Sequence, residues 1–165
     1  MGQVDFNKLW QNFTDTVQNH YMDFSGRVGR AQFWYYVLVV VAIGIAAAII
    51  GGVVGTTLLS AVVSLALLLP NAGRAARRMQ DTGRSGQLVW IWVIVGAIYG
   101  VISLLIGLTG PLGALAFLAF FFTIGWLINL AMLVITIVII YFCAQPGNTG
   151  DNAFGPAPAS WSPGA

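Results

Sequence analysis

The chain has 165 residues and the composition of a membrane protein. Hydrophobic residues make up 58% of it and charged residues 7%, with a mean hydropathy of +0.84. A soluble domain carries about 25% charged residues, so a soluble globular domain is excluded. The formal net charge is only +2, and the chain has no Lys/Arg-rich tail. We therefore expect membrane lipids, in particular anionic headgroups, as partners and no nucleic acid.

Residues for metal or acid–base chemistry are scarce. Cys143 is the single cysteine, which excludes an intramolecular disulfide, and no Cys/His cluster surrounds it in sequence. His20 is the single histidine. No nucleophile stands at motif spacing from it, so we interpret it as a residue of the membrane interface. The sequence therefore predicts no metal, no cofactor and no catalytic residue.

Residues 4–20 predict an amphipathic helix, because apolar side chains recur there at spacings of three and four while polar ones fill the other face. The helix is rich in aromatic residues and precedes the first apolar tract. We therefore expect it to lie in the membrane interface. The alternative is that it packs on the protein's own cytosolic loops.

Two uncharged tracts, 31–73 and 85–150, are each long enough for two membrane spans of about 20 residues. The glycines at 51, 52 and 55 supply the break in the first tract, and the sequence GLTGPLG at 107–113 supplies the break in the second. The predicted fold is an all-α integral membrane protein with four transmembrane helices, at about 33–50, 53–69, 88–106 and 123–143.

Pro70 and Asn71 are expected to end the second helix, because a proline pushes the residue before it out of the helical region. The segment from Leu112 to Phe122 is apolar. It is either an early start of the fourth helix or a short re-entrant piece.

The charged residues predict the orientation of the spans. They fall in three zones, Asp5 to Arg30, Arg74 to Arg84 and Asp151, and two spans separate each zone from the next. All three zones therefore lie on one side, which the positive-inside rule makes cytoplasmic, N-in and C-in. The chain then divides into a cytoplasmic amphipathic helix and arginine hinge (1–30), a four-span membrane domain (31–144) with a cytoplasmic arginine loop (71–86), and a cytoplasmic Pro/Gly-rich tail (145–165).

The loop 71–86 carries four of the seven basic residues. Four charged residues of the loop are spaced i, i+3, i+4 and i+7: Arg74, Arg77, Arg78 and Asp81. This spacing predicts that they share one face of a helix that continues from the second span. On that face Asp81 can pair with Arg77 or Arg78. Guanidinium groups match phosphate in a bidentate manner, so one interpretation is a headgroup or anion site. The other is an anchor whose arginines orient the protein and extend to the interface.

Three separated segments together resemble the signature segments of a bacterial family called domain of unknown function 805. They are FSGRVGRAQFW (24–34), ARRMQDTGRSG (76–86) and PGNTGDNAFGP (146–156). The departures are modest: Met79 and Gln80 stand where the family usually has Leu-His, and Gln87 stands where an aromatic residue is usual. The resemblance implies a small four-span protein, multi-pass in the bacterial plasma (inner) membrane. It implies no activity, because none is established for the family.

The three segments lie on the same side in the predicted topology, so we expect their polar side chains to meet in one cluster. Its candidate anion-binding or headgroup-binding residues are Arg27, Arg30, Arg77, Arg78 and Arg84. Its polar partners are Asp23, Asp81 and Asn152. The segment from Asn152 to Pro156 is expected to fold over the cluster, which orders the tail that far. Five arginines against two acids leave a positive field suited to lipid phosphate or another anion.

These features favour a non-enzymatic interaction or lipid-associated module with a cytoplasmic arginine cluster. The absence of ionisable residues inside the spans argues against a proton-coupled transporter. Two alternatives stay open. One is an enzyme acting on phosphorylated lipid headgroups. The other is a small channel or carrier that works as a homo-oligomer, and its path would be lined by Thr56, Ser60, Ser64 and Asn129.

Overall fold

The protein is all-helical over the part of the chain that the structure describes. The computed structural model describes residues 5–161, apart from the side chains of a few residues between 103 and 124. Residues 1–4 and 162–165, which the sequence assigned to the amphipathic segment and the tail, lie outside it. The helices are α1 (Phe6–Asn19), α2 (Arg30–Val54), α3 (Leu58–Asp81), α4 (Gln87–Thr109), α5 (Pro111–Phe120) and α6 (Trp126–Ala144), with a π-helical turn at Phe121–Gly125 between α5 and α6.

Four helices are long and apolar enough to cross a membrane, judged by length and composition. They are Arg30–Val54, Leu58–Asp81, Gln87–Ile106 and Trp126–Ala144. Each overlaps one of the spans predicted from the sequence, so the prediction of an all-α fold with four such helices is confirmed. Large apolar side chains on their outer faces are half exposed, as bilayer-facing residues are, for example Leu38, Ile45, Ile98 and Leu130.

The break between the first two spans is at Gly55, the last of the three glycines predicted to supply it, and α2 therefore extends to Val54, past the predicted end at about residue 50. Gly51 and Gly52 are still helical, and α2 ends where Gly55 adopts the left-handed conformation at φ 75°. The amide of Thr56 donates back to the carbonyl of Gly51 at 2.8 Å. A Cβ on Gly51 would lie 2.6 Å from the carbonyl oxygen of Thr56, so this glycine is required by the close approach of the turn.

The prediction that Pro70 and Asn71 end the second helix is wrong, because α3 passes through Pro70 and continues to Asp81. A proline inside a helix has no N–H for the carbonyl four residues earlier, here that of Ala66. The hydroxyl of Tyr21 donates to that carbonyl at 2.6 Å. The side chain thus supplies the hydrogen bond that Pro70 cannot, and the helix carries the arginines beyond the span.

The segment from Leu112 to Phe122 belongs to the last helical run. Gly110 reverses the chain after α4, with φ 64° and ψ −145°. From Pro111 to Ala144 the backbone is then helical without interruption through α5, the π-helical turn and α6. Of the two alternatives, an early start of the fourth helix is therefore the observed one.

Helix α3 is the centre of the bundle, since it contacts α1, α2, α4 and α6. Its partner α4 comes close at Gly96, where a Cβ would lie 2.9 Å from Leu68 Cδ1. The Gly96-x-x-x-Gly100 pattern therefore serves packing within the bundle. The larger cluster of buried apolar side chains lies at the end of the bundle that carries the charged residues, hereafter the charged end, and consists of Val28, Phe33, Leu68, Ala72, Ala76, Met79, Val89, Val93, Ile139 and Cys143. A smaller cluster joins α1, α2 and α3 through Phe13, Tyr36 and Leu67.

Helix α1 packs across α2 and α3 at the charged end. Asp5 caps it, accepting from the amide of Asn7 at 2.9 Å. Its inner face is buried and consists of Leu9, Asn12, Phe13 and Thr16. Two aromatic side chains face outward instead, with Phe6 80% and Trp10 56% exposed. The helix therefore uses only part of its apolar surface against the rest of the protein.

Candidate functional site

The carboxylate of Asp81 lies at the centre of a buried cluster at the charged end. Asp81 closes α3 and is 2% exposed. Arg27 approaches one oxygen, with Nε 3.0 Å and Nη2 2.9 Å from Oδ1, and Arg78 contacts the other through Nη1. The sequence left the pairing of Asp81 with Arg77 or Arg78 open, and the structure pairs it with Arg78. Two guanidinium groups therefore share one buried carboxylate.

Arg27 also binds the polypeptide that follows the last helix. Its Nη1 donates to the carbonyls of Gly150 and Gly155, at 2.7 and 3.2 Å, and its Nη2 donates to the carbonyl of Asn148 at 2.5 Å. With the contacts to Asp81, each nitrogen of this guanidinium has an acceptor from the protein. We call residues 145–161 the tail strap, because Arg27 ties three of its carbonyls to the end of the bundle.

The tail strap is anchored at further points. The amide of Asn148 donates to the carbonyl of Asp81 at 2.9 Å, and Asn152 Nδ2 donates to the carbonyl of Gln80 at 2.9 Å. An antiparallel bridge joins Asn152 to Gly155 and turns the strap back over Arg27. A Cβ on Gly147 would overlap the carboxylate of Asp81, so the strap crosses directly over that group. A composition rich in Pro and Gly would by itself indicate an irregular or disordered tail, whereas these hydrogen bonds hold the tail strap in a defined path.

Arg78 connects the hinge before α2 and the end of α6 to the same carboxylate of Asp81. Its side chain is fully buried, and Nε donates to the carbonyl of Cys143 at 2.9 Å. Nη1 reaches the carbonyl of Val28 at 3.4 Å, and Nη2 donates to the carbonyl of Gln145. We call Arg27, Arg78, Asp81 and the carbonyls that they bind the arginine cap. Because these guanidinium groups are buried and occupied by protein acceptors, they hold the fold together.

Arg77 and Asp23 form a second, more exposed pair beside the cap. Arg77 Nη1 lies 3.3 Å from Asp23 Oδ2, and His20 Nδ1 lies 3.1 Å from the same oxygen. Burial by itself would raise the pKa of Asp23, but hydrogen bonds from Ser25 and the charge of Arg77 outweigh it and hold that pKa below its ordinary 3.8. His20 thus has a carboxylate partner that the sequence reading missed. The sequence feature that indicates this partner is Asp23, which stands three residues after His20.

Arg74 was left out of the candidate residues, yet it is 2% exposed and connects α1 to α3. Its Nε donates to Thr16 Oγ1 at 2.8 Å, and its Nη2 donates to Asn12 Oδ1 at 3.1 Å. Its guanidinium carbon lies 5.5 Å from the ring centroid of Tyr36. Asn12 and Thr16, four residues apart on the buried face of α1, are the sequence signal for this contact.

Arg30 and Arg84 stand apart from the buried cluster. Both residues are exposed, and neither has an acidic partner within residues 5–161. Arg30 begins α2. Arg84 follows α3, and its guanidinium carbon lies 4.0 Å from the ring centroid of Phe142. Of the five candidate arginines, these two present their charge outward, Arg77 is mostly covered, and Arg27 and Arg78 are internal.

The polar residues proposed for a transport path are not brought together. Thr56 and Ser60 line a shallow pocket at the α2–α3 turn, and Ser64 lines a different one nearer the middle of the bundle. Asn129 donates to the carbonyl of Gly125 at 2.7 Å and to the hydroxyl of Tyr99 at 2.9 Å. Within residues 5–161, no group of three His, Cys, Asp or Glu side chains is placed to hold a metal ion.

Comparison with known proteins gives a family and two relatives. Residues 21–156 match the family described as "Protein of unknown function (DUF805)". The relatives are the "Inner membrane protein YhaI" of Escherichia coli strain K12 and its counterpart in strain O157:H7. Each is 29% identical to this chain over 145 residues, which covers 87% of this chain and 92% of the relative. No solved structure matches the chain.

Proposed function

The chain belongs to the DUF805 family of proteins of unknown function, and from this premise we propose that it is a non-enzymatic, lipid-associated module of the inner membrane. Its four apolar helices and its similarity to an inner membrane protein support the location. In this proposal the arginine cap closes the cytoplasmic end of the bundle. The outer arginines hold anionic headgroups against that end.

One observation carries the proposal: the arginines divide into two kinds. Arg27 and Arg78 are buried and bound to Asp81 and to backbone carbonyls. Arg30 and Arg84 are exposed where α2 and α4 begin, without an acidic partner in the described part of the chain. A basic side chain close to an anionic leaflet contributes about 1 kcal/mol of attraction, and a guanidinium can bind phosphate through two N–H groups.

The orientation N-in, C-in is part of the proposal. The hinge before α2, the end of α3 and the tail strap contact one another, so the three charged zones share one end of the bundle. Because the arginines are at that end, the positive-inside rule makes it cytoplasmic. Fusion of green fluorescent protein to the C-terminus should give fluorescent cells, and fusion of alkaline phosphatase there should give inactive phosphatase. The reverse pattern would contradict this orientation.

The position of α1 supports an interfacial role for that helix. Its buried face is already used against α2 and α3, while Phe6 and Trp10 point away from the protein. Aromatic side chains of this kind favour the headgroup region. We therefore place α1 at the cytoplasmic interface, with its outer aromatic edge toward lipid.

Lipid titration followed by native mass spectrometry tests the lipid association. The purified full-length protein in detergent is titrated with phosphatidylglycerol or with phosphatidylcholine of the same chain length. The wild type should bind phosphatidylglycerol more tightly, and replacing Arg30 and Arg84 together by Gln should remove most of the preference. At about 1 kcal/mol for each arginine, the expected change is about fivefold per residue. Equal affinity of the wild type for both lipids would contradict the proposal.

A further inference from the structure

A groove at the α3–α4 junction has one polar rim and one apolar wall. Its volume is about 550 Å³, and it is lined by Met79, Gly83, Arg84, Ser85, Gln87, Leu88, Ile91 and Phe142. The rim residues belong to the turn between α3 and α4, and the wall residues belong to the first turns of α4 and the last of α6. The groove therefore runs from the charged end of the bundle onto its apolar flank.

The rim offers donors for an anion. Arg84 is exposed and forms no ion pair within residues 5–161, and the ring of Phe142, 4.0 Å from its guanidinium carbon, holds it at the groove. Ser85 is exposed beside it. The cap position of α4, Gly86, supplies no side-chain hydrogen bond to the first turn of the helix. The positive end of the α4 dipole adds to the charge of Arg84 at this rim.

The wall has the opposite chemistry. Leu88 and Ile91 stand one turn apart on α4, and Ile91 is 46% exposed. The same flank of α4 continues away from the rim with further exposed apolar side chains, Ile94 and Ile98 among them. A free phosphate would use the rim and leave this wall without a function, whereas a phospholipid offers a phosphate to the rim and an acyl chain to the wall.

We propose that this groove binds one anionic glycerophospholipid. The phosphate is held by Arg84 and Ser85 at the rim, and one acyl chain lies along Leu88 and Ile91. This site rests on the lipid association proposed above and gives it a defined location. It also distinguishes the two exposed arginines: Arg84 stands in a groove with an apolar wall, so it recognises a lipid molecule, and Arg30 contributes only a general attraction to the leaflet.

The test uses two pairs of matched variants in the same titration. Arg84→Gln removes the charge at the rim, and Arg30→Gln makes the same change outside the groove. Ile91→Trp fills the apolar wall, and Ile45→Trp adds the same bulk to α2, a helix that does not line the groove, at a side chain that is 56% exposed. Gel filtration and thermal unfolding of each variant show whether the fold is retained.

Arg84→Gln should lower the affinity for phosphatidylglycerol about tenfold, which is the value of one charge-assisted hydrogen bond and exceeds the roughly fivefold effect of a general attraction to the leaflet. Ile91→Trp should also lower the affinity, because the indole occupies the space of the acyl chain. Arg30→Gln should lower it less, and Ile45→Trp should leave it unchanged. Glycerol phosphate should not compete with the intact lipid. The groove proposal is overturned if Arg30→Gln equals Arg84→Gln, if Ile91→Trp has no effect, or if glycerol phosphate competes fully.

These results separate the two proposals. If the wild type prefers phosphatidylglycerol but the groove variants behave like their controls, the lipid association stands and the groove site falls. If the wild type shows no preference, both fall. Should Arg84→Gln fail to fold, the comparison of Ile91→Trp with Ile45→Trp still decides the groove, because both side chains are about half exposed on the outside of the bundle.

Discussion

The hydroxyl of Tyr21 donates a 2.6 Å hydrogen bond to the carbonyl of Ala66, the acceptor that Pro70 leaves without an intrahelical partner. This contact ties the segment after α1 to the middle of α3. It lies where the helix would otherwise weaken, since a proline removes one backbone hydrogen bond and crowds the preceding turn. Helix α3 can therefore continue past Pro70 because Tyr21 supplies the missing hydrogen bond. The continued part of the helix carries Arg74, Arg77, Arg78 and Asp81.

Tyr21→Phe should destabilise the protein by about 1 kcal/mol, because it leaves the Ala66 carbonyl unpaired. The free energy of unfolding can be measured by SDS titration in mixed micelles. Tyr141→Phe is the matched control, since Tyr141 is 59% exposed and donates no hydrogen bond within the described residues. In a Pro70→Ala background the amide at position 70 can serve Ala66, so the cost of Tyr21→Phe should shrink. An equal cost in both backgrounds would show that the tyrosine acts through something else.

Arg27→Ala should release the tail strap. The substitution leaves the carbonyls of Asn148 and Gly150 without their donor, removes one of the two donors to the carbonyl of Gly155, and removes one of the two guanidinium groups that contact Asp81. Breaking a buried ion pair costs about 3–5 kcal/mol, and we expect the lower end because Arg78 still contacts Asp81. Hydrogen exchange of a peptide covering 145–161 should accelerate. The exposed Arg30→Ala should leave that peptide protected, and unchanged exchange in Arg27→Ala would contradict the strap.

Gly147→Ala and Gly150→Ala make the same chemical change with different expected results. A Cβ at Gly147 would overlap the Asp81 carboxylate, whereas, among the described residues other than its chain neighbours, no atom lies within 4 Å of a Cβ at Gly150. Gly147→Ala should therefore lower the unfolding temperature in detergent and expose the strap to protease, while Gly150→Ala should do neither. Similar behaviour of the two variants would argue that the strap does not cross over Asp81.

Thr16→Val should loosen α1 from the bundle. The change keeps the shape of the side chain and removes the acceptor of Arg74 Nε, which leaves a buried charged donor unpaired at about 1.5–3 kcal/mol. Amide hydrogen exchange in α1 should rise with little change in α4. Thr14→Val is the control, because the Thr14 hydroxyl bonds only within α1, to the carbonyls of Trp10 and Gln11. Equal protection of α1 in both variants would rule out this role for Arg74.

Acid should weaken the pair of Asp23 with Arg77. The folded-state pKa of Asp23 lies below its ordinary 3.8, so the unfolded chain binds the proton first as the pH falls. The contribution of this carboxylate to stability is complete above the unfolded pKa and is lost as the pH falls through the folded one. Between about pH 5 and about pH 3 the unfolding temperature should drop less in Asp23→Asn than in the wild type. Parallel acid profiles would contradict this contribution.

Much of the fold was predictable because the length of each apolar tract and the positions of the charged residues can be read directly along the chain. A span needs a run of apolar residues, and water-facing ends need charge, so four helices and three charged zones follow from counting along the chain. Helix ends were less predictable. Pro70 is a helix breaker by its own chemistry, and the residue that offsets it, Tyr21, is 45 positions away from Ala66. A pattern of neighbouring residues cannot predict a hydrogen-bond partner that is so distant in sequence.

The sequence alone determined that this is a four-helix membrane protein whose charged segments share one end, because the bilayer permits few other arrangements of such a composition. Only the tertiary structure decided what each arginine does. Arg27, Arg74 and Arg78 are buried and hold segments of the protein together through hydrogen bonds to protein acceptors. Arg84 is exposed at the rim of a groove. The physical reason is burial: identical guanidinium groups differ in role by whether protein or solvent surrounds them, and that depends on how distant segments fold over one another.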